Sequence, residues 1–234
     1  MTTDTRMMTT DTHDIDIRLV VLDMAGTTVA DGGLVEQAFA AAARHLDADP
    51  DSMLDHVRAT MGESKISVFR HLFGDERLAR RANAAFEEAY ADLVDGGSIA
   101  ALPGAREAIE ELTEQGRTVV LTTGFARTTQ DAILAALGWQ DLVPLTLCPA
   151  DAGGRGRPYP DMVLTAFLRT AAADGVRQIA VVGDTSYDML SGVRAGAGVV
   201  AGVRTGAHDA DTLRVAGATH VLDSVGRLPG LLAP

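Results

Sequence analysis

Cysteine, lysine, long apolar runs and positive charge are all scarce in this chain. Cys148 is the single cysteine among 234 residues, so no internal disulfide can form and no cysteine cage can hold a metal. Its expected place is that of a small buried hydrophobe near a strand end. There is no run of about 18 apolar residues, the least that would cross a bilayer. The opening residues MTTDTRMMTTDTHDID are polar and acidic, whereas a secretory signal needs a basic start and an apolar stretch. Cytoplasmic residence, away from membranes, is the expectation. A formal net charge of −12, with no cluster of Lys and Arg, argues against nucleic acid as a partner, because a phosphate backbone is bound through clustered cations. Of the 20 basic residues, 19 are arginine and one is lysine, Lys65. Arginine serves ion pairs as well or better, whereas amine chemistry requires lysine. A leftover surface lysine is the competing reading.

What is present suits one compact core, or a core with a smaller inserted module, since 47% of the residues are hydrophobic. The pentapeptide MTTDT occurs at 1–5 and again at 8–12, and residues 1–14 read as a disordered tail. Ile17 to Leu22 is a β-branched and aliphatic run ending at Asp23, then the Gly- and Thr-rich Ala25-Gly26-Thr27-Thr28: a buried strand feeding a loop. Helical spacing follows over 34–47, 50–60, 64–73 and 75–94 with no strand between, and Asp95-Gly96-Gly97-Ser98 reads as a linker. Strand and helix then alternate. Helices are expected at 104–115, 125–137, 160–173, 186–195 and 209–215, and strands at 118–121, 145–147, 178–182, 199–201 and 220–222. The pattern predicts an α/β fold, a doubly wound parallel sheet built from 15–30 and 101–234, with an inserted all-helical cap over 31–100.

Ligands of such sheets bind beyond the carboxyl ends of the strands. Those positions hold Asp23, Thr122-Thr123-Gly124, Arg157 in Gly156-Arg157-Pro158-Tyr159-Pro160, and Gly183-Asp184 through Asp188. Crowded carboxylates repel unless a cation sits among them, and hard oxygen ligation with room for water suits Mg²⁺. Hydroxyls, glycine-rich backbone amides and an arginine fork suit a phosphoryl group. Taken singly, Asp23 or Asp184 would read as a helix cap or turn former.

Asp23-Met24-Ala25-Gly26-Thr27-Thr28, Thr122, Arg157 and the Asp184-to-Asp188 segment, in that order and each at a strand end, resemble the four motifs of the haloacid dehalogenase superfamily over residues 17 to about 222. The resemblance implies a Rossmannoid core and a hydrolase using Mg²⁺. It implies that Asp23 is the nucleophile that becomes aspartyl phosphate. Asp184 and Asp188 would complete the metal site with Asp23 and the carbonyl of Ala25. Thr122 would bond the phosphoryl oxygens, Arg157 would neutralise them, and Gly26, Thr27, Thr123 and Gly124 would line the substrate site.

Most phosphatases of that superfamily carry a second Asp two residues after the nucleophile, and here that residue is Ala25. A methyl group transfers no proton, so an alkoxide leaving group would lose general-acid help of about 10²–10⁴ in rate. A carbon leaving group needs an electron sink instead, and an iminium on a lysine provides one. The segment Met61-Gly62-Glu63-Ser64-Lys65, with Ala25, Thr122-Thr123-Gly124 and Arg157, resembles the phosphonatase branch. There the cap lysine forms a Schiff base with a phosphonate aldehyde; Met61 falls beside the substrate. Val68 and Phe125 stand where that branch has a histidine and an aromatic hydroxyl. The expected partner is a small phosphonate such as phosphonoacetaldehyde. A second copy of the chain, docked through the cap, is expected as well. The rival enzyme is a phosphomonoesterase acting on phosphoglycolate or a sugar phosphate. The rival from another class is a phosphoacceptor receiver domain, which lacks a helical insert after the first strand. The six histidines show no metal-ligand spacing.

Overall fold

A computed structural model describes residues 16–30 and 32–233; the tail expected over 1–14 lies outside them. The first strand, β1 (Leu19–Asp23), is Leu-Val-Val-Leu-Asp and is buried at every position, as befits a strand covered on both faces. Helices α1 (Leu34–His45), α2 (Asp51–Ala59), α3 (Lys65–Phe73) and α4 (Glu76–Asp95) follow with no strand between. The chain then alternates through α5 (Ala105–Glu114), β2 (Thr118–Thr122), α6 (Arg127–Leu137), β3 (Leu145–Leu147) and α7 (Asp161–Thr170). It continues through β4 (Ile179–Gly183), α8 (Ser186–Ala195), β5 (Val199–Val203), α9 (Ala210–Val215), β6 (His220–Leu222) and α10 (Leu228–Leu232).

The strands form one sheet in the order β3-β2-β1-β4-β5-β6, and every pairing is parallel. This is the α/β Rossmannoid architecture that the alternation predicted. The order reverses at β1, flanked by β2 and β4, and such a switch point opens a crevice beyond the strand ends. Alternation along β1 sends Val20 and Leu22 into one apolar cluster and Leu19 and Val21 into the other, one on each face. Asp23 pairs in register with Thr122, so both reach the same edge.

In the insert, α4 begins at Asp75, whose carboxylate accepts from the Leu78 N–H at 2.7 Å and so satisfies an orphan donor of the first turn. Ala79, Ala82, Phe86, Tyr90 and Val94 form its buried stripe, at helical spacing. Phe39 of α1 lies 4.7 Å from Phe69 of α3 and 4.8 Å from Phe86, centroid to centroid. The two chain crossings between insert and sheet are themselves paired: the Ala30 N–H donates to the Ala100 carbonyl and the Leu102 N–H to that of Thr28, both at 2.9 Å.

Several element ends differ from expectation. The helix expected from 125 starts at Arg127, because the Ala126 N–H is held by Glu87 of α4 at 3.4 Å and the chain stays extended there. The helix expected to reach 173 stops at Thr170, with Ala171 in the left-handed region at φ 48°. Cys148 is fully buried just after β3, and Trp139 is buried as well. Among the described residues the exposed large hydrophobics are Tyr159, Leu168, Val193 and Val215. All lie outside α1–α4. No helix among the described residues is long and apolar enough to cross a membrane.

Candidate active site

Five of the expected residues meet at the carboxyl ends of β1, β2 and β4. Asp23, Asp184 and Asp188 each offer a carboxylate oxygen within 4.8 Å of the others, all buried. Arg157, also buried, is the cation between them. Its Nη2 lies 2.8 Å from Asp23 Oδ1 and its Nε 2.6 Å from Asp188 Oδ1. The same Nη2 donates to Thr122 Oγ1 at 2.7 Å, and the Thr122 hydroxyl donates to the Leu22 carbonyl at 3.3 Å. Thr122 therefore holds Arg157 in place, and Thr123 is the residue of that pair that lines the cavity.

Asp184 and Asp188 are each oriented by fixed hydrogen-bond donors. Asp184 Oδ2 accepts from the Ala207 N–H at 2.8 Å and Oδ1 from the Thr27 hydroxyl at 3.3 Å. The buried Thr27 thus supports Asp184. Asp188 sits at the third position of α8, where Thr185 and Asp188 form a reciprocal capping box: the Thr185 N–H donates to Asp188 Oδ2 at 3.1 Å, leaving Oδ1 for Arg157. Gly26 has φ 85°, and a Cβ there would collide with the Asp184 carboxylate. Only glycine accommodates both that backbone and that approach.

Burial and the neighbouring Asp188 push Asp184 up to about 7. Burial, reinforced by Asp188 and Asp184, raises Asp23 well above the usual carboxylate range, with Arg157 opposing. Three acids sharing one guanidinium are short of positive charge, and this all-oxygen donor set fits a hard divalent cation. Asp23, Asp184 and Asp188 are the side chains that would hold it.

Above these groups opens a cavity of about 630 Å³, lined by Asp23, Ala25, Gly26, Met61, Gly62, Lys65, Thr123, Gly124, Arg157, Asp184 and other residues. Lys65 is the first residue of α3 and is 6% exposed. That buries an amine that a leftover surface lysine would leave in water. Its Nζ lies 5.3 Å from the centroid of Phe125 and 5.9 Å from that of Phe39. The ring at Phe125 packs 4.6 Å from Tyr90 and so joins the sheet-edge loop to the aromatic cluster of the insert. Val68 is buried in that same cluster.

The insert is seated tightly on the sheet edge. The Lys65 N–H donates to the Gly124 carbonyl at 3.4 Å, and a Cβ on Gly124 would lie 2.9 Å from the Glu63 carbonyl oxygen. Gly62, at φ 99°, packs against Thr185. Glu87 of α4 accepts from the Ala126 N–H and the Thr129 hydroxyl, standing in as a cap for α6, whose own Ala126 supplies no side-chain cap. Burial raises the Glu87 carboxyl; Thr129, Ala126 and Lys65 act against that rise. Sequence reasoning missed Glu87, Thr185 and the amide of Ala207. Only the Thr185-to-Asp188 spacing carried a local signal for any of them.

A family model for haloacid dehalogenase-like hydrolases matches residues 17–196. A Dickeya dadantii protein named "Probable phosphatase IndB" is 30% identical over 219 residues, covering 91% of this chain and 92% of that protein. A phosphonoacetaldehyde hydrolase of Pseudomonas fluorescens is 27% identical over 202 residues, covering 79% of this chain and 72% of the relative. Among solved structures, a phosphonoacetaldehyde hydrolase-like protein from Oleispira antarctica superposes with a TM-score of 0.79 at 25% identity, covering 93% of this chain and 91% of that one. With the ordered strand-end residues and the parallel sheet, these matches establish that the chain belongs to the haloacid dehalogenase-like hydrolases.

Proposed function

We propose that the protein is a Mg²⁺-dependent phosphonatase, cleaving the C–P bond of phosphonoacetaldehyde or a related phosphonate aldehyde in the cytoplasm. The observation that carries this reading is the burial of the chain's one lysine in the cavity that also holds Asp23, with a methyl group at Ala25 where an acid would serve an oxygen leaving group.

Lys65 is almost fully buried, with its Nζ near the rings of Phe39 and Phe125, and its neutral amine is the form that would attack a carbonyl. Lys65 Nζ adds to the aldehyde and water leaves, giving a protonated imine. An oxygen of Asp23 then attacks phosphorus while the C–P bond breaks, and its electron pair moves into the iminium to form an enamine. A proton returns to carbon, water hydrolyses the imine, and acetaldehyde and free Lys65 result. Water next cleaves the aspartyl phosphate, releasing inorganic phosphate and restoring Asp23. Through these steps Arg157 balances charge on the phosphoryl group, Thr122 fixes Arg157, and the amides around Gly26, Thr123 and Gly124 receive phosphoryl oxygens. Mg²⁺ held by Asp23, Asp184, Asp188 and the Ala25 carbonyl would supply further charge neutralisation at the phosphoryl oxygens. Met61 closes the substrate side from the insert, which acts as the cap over residues 31–100.

A second reading, a phosphomonoesterase for a small phosphorylated metabolite such as phosphoglycolate or a sugar phosphate, is favoured by the full-length relative that carries a phosphatase name. One experiment separates the two. Incubation with phosphonoacetaldehyde, Mg²⁺ and borohydride, followed by peptide mapping, should label Lys65, and Lys65→Arg should lose both label and turnover. Rapid hydrolysis of a phosphate ester, unchanged in Lys65→Arg, would remove the imine chemistry and leave the phosphatase.

A further inference from the structure

Glu87 of α4 and Lys65 of α3 grip the same short loop of the core. The Lys65 N–H donates to the Gly124 carbonyl, the Lys65 Nζ stands 5.3 Å from the centroid of Phe125, and Glu87 Oε1 accepts from the Ala126 N–H at 3.4 Å. Glu87 Oε2 takes the Thr129 hydroxyl as well. Both oxygens are thus bonded to the start of α6. The carboxylate is half-buried, and the Lys65 amine acts on its charge. A negative group and the chain's one lysine therefore meet across Gly124, Phe125 and Ala126.

The other charged groups near Lys65 have partners of their own. Asp23, Asp184, Arg157, Glu36 and Arg58 share its cavity. Arg157 is paired with Asp23 and Arg58 with Glu36, while Asp184 accepts from the Ala207 amide. Glu63, two positions before Lys65, is hydrogen-bonded to Tyr187 of α8. On α6, Arg127 is bound to Asp151 and to the Thr146 hydroxyl. The donors that Glu87 accepts from are an amide and a hydroxyl, and neither cancels its charge. The rings of Phe39 and Phe125 offer Nζ their π faces but no counter-ion. A buried cation in such surroundings gains from a nearby anion, because Coulomb attraction strengthens as water is excluded.

We propose that Glu87 is a positioning residue for the reacting amine: its carboxylate is the negative charge that holds a cation at Lys65 Nζ, first the ammonium and later the protonated imine. The inference deepens the proposed function and rests on it for the imine alone; the link between carboxylate and ammonium needs no substrate. It gives the cap on α6 a second purpose, because the insert brings Glu87 to Ala126 and Lys65 to Gly124 in the same seating. A mere helix cap would leave the charge state of Lys65 untouched.

The test is trace acetylation of the full chain with acetic anhydride across a range of pH, with peptide mapping of Lys65 and a free lysine peptide in the same tube as reference. Glu87→Gln keeps an acceptor for Ala126 and removes the charge. It should move the midpoint of Lys65 reactivity down by about half a pH unit or more, which is about a threefold rise in neutral amine below the midpoint, with Tm shifted by only a few degrees. The acid limb of kcat/KM for phosphonoacetaldehyde should move down with it, and kcat should fall because less of the imine is protonated. Glu87→Ala, which gives up the cap too, should lower the midpoint as far while losing stability. An unmoved or raised midpoint in whichever variant folds overturns the inference, and so does failure of both to fold, which would show a role in the scaffold. A wild-type Lys65 that reacts at no pH overturns this inference and the imine together. A lowered midpoint without any borohydride label from phosphonoacetaldehyde removes the imine and leaves the link between Glu87 and Lys65 standing.

Discussion

At the scale of single residues, the chemistry turns on what stands beside Asp23. Ala25 lines the cavity, so a carboxyl placed there would face the substrate. Ala25→Asp should raise turnover of an alkyl phosphate ester by about tenfold or more, since a positioned general acid contributes about 10²–10⁴; phosphate-release assays on wild type and variant check this. Asp184 is anchored by Thr27 and the Ala207 amide, so Asp184→Asn keeps the shape of the site while removing a charge. It should weaken Mg²⁺ binding by an order of magnitude or more, read by titration calorimetry, with little loss of fold. Asp23, Arg157, Asp184 and Asp188 were legible in the sequence because each follows a recognisable strand. The support given by Thr27 was not, because its partner lies 157 positions away.

At the scale of elements, the insert acts through a few close approaches. Gly62→Ala places a methyl against Thr185 at a backbone angle that side chains rarely adopt. The loop before Lys65 must then lift. Phosphonoacetaldehyde kcat/KM should fall by about tenfold or more while Tm shifts by only a few degrees, because a lid that cannot seat leaves the active site incomplete. Glu87→Ala removes the acceptor that α4 lends to the start of α6. Loss of a helix cap costs about 0.5–2 kcal/mol, and urea unfolding should show a loss in that range. The helical spacing of α4 was plain in the sequence. Its bond to Ala126 was not, and that bond is why α6 begins two residues later than its pattern suggests.

At the scale of the whole molecule, the acidic centre couples stability to pH and metal. Asp184 is raised to about 7, so the folded state holds its proton more tightly than the unfolded chain does. The stability this confers is complete below the ordinary carboxylate range and is lost as pH climbs through about 7; Asp23 shifts in the same direction. Mg²⁺ held by the ionised carboxylates would reverse that loss, so the gain in Tm on adding Mg²⁺ should be larger at pH 7.5 than at pH 5.5. Thermal scans at the two pH values decide it, and an equal gain at both would contradict the linkage. The sequence by itself determined the parallel sheet, the four-helix insert and the order of the strand-end acids, because hydrophobic periodicity and motif spacing are local properties of the chain. Only the tertiary structure decided that Arg157 bridges Asp23 and Asp188, that Thr123 rather than Thr122 faces the cavity, and that Lys65 is buried between Phe39 and Phe125. Those relations join residues tens to more than a hundred positions apart, and packing rather than local pattern brings them together.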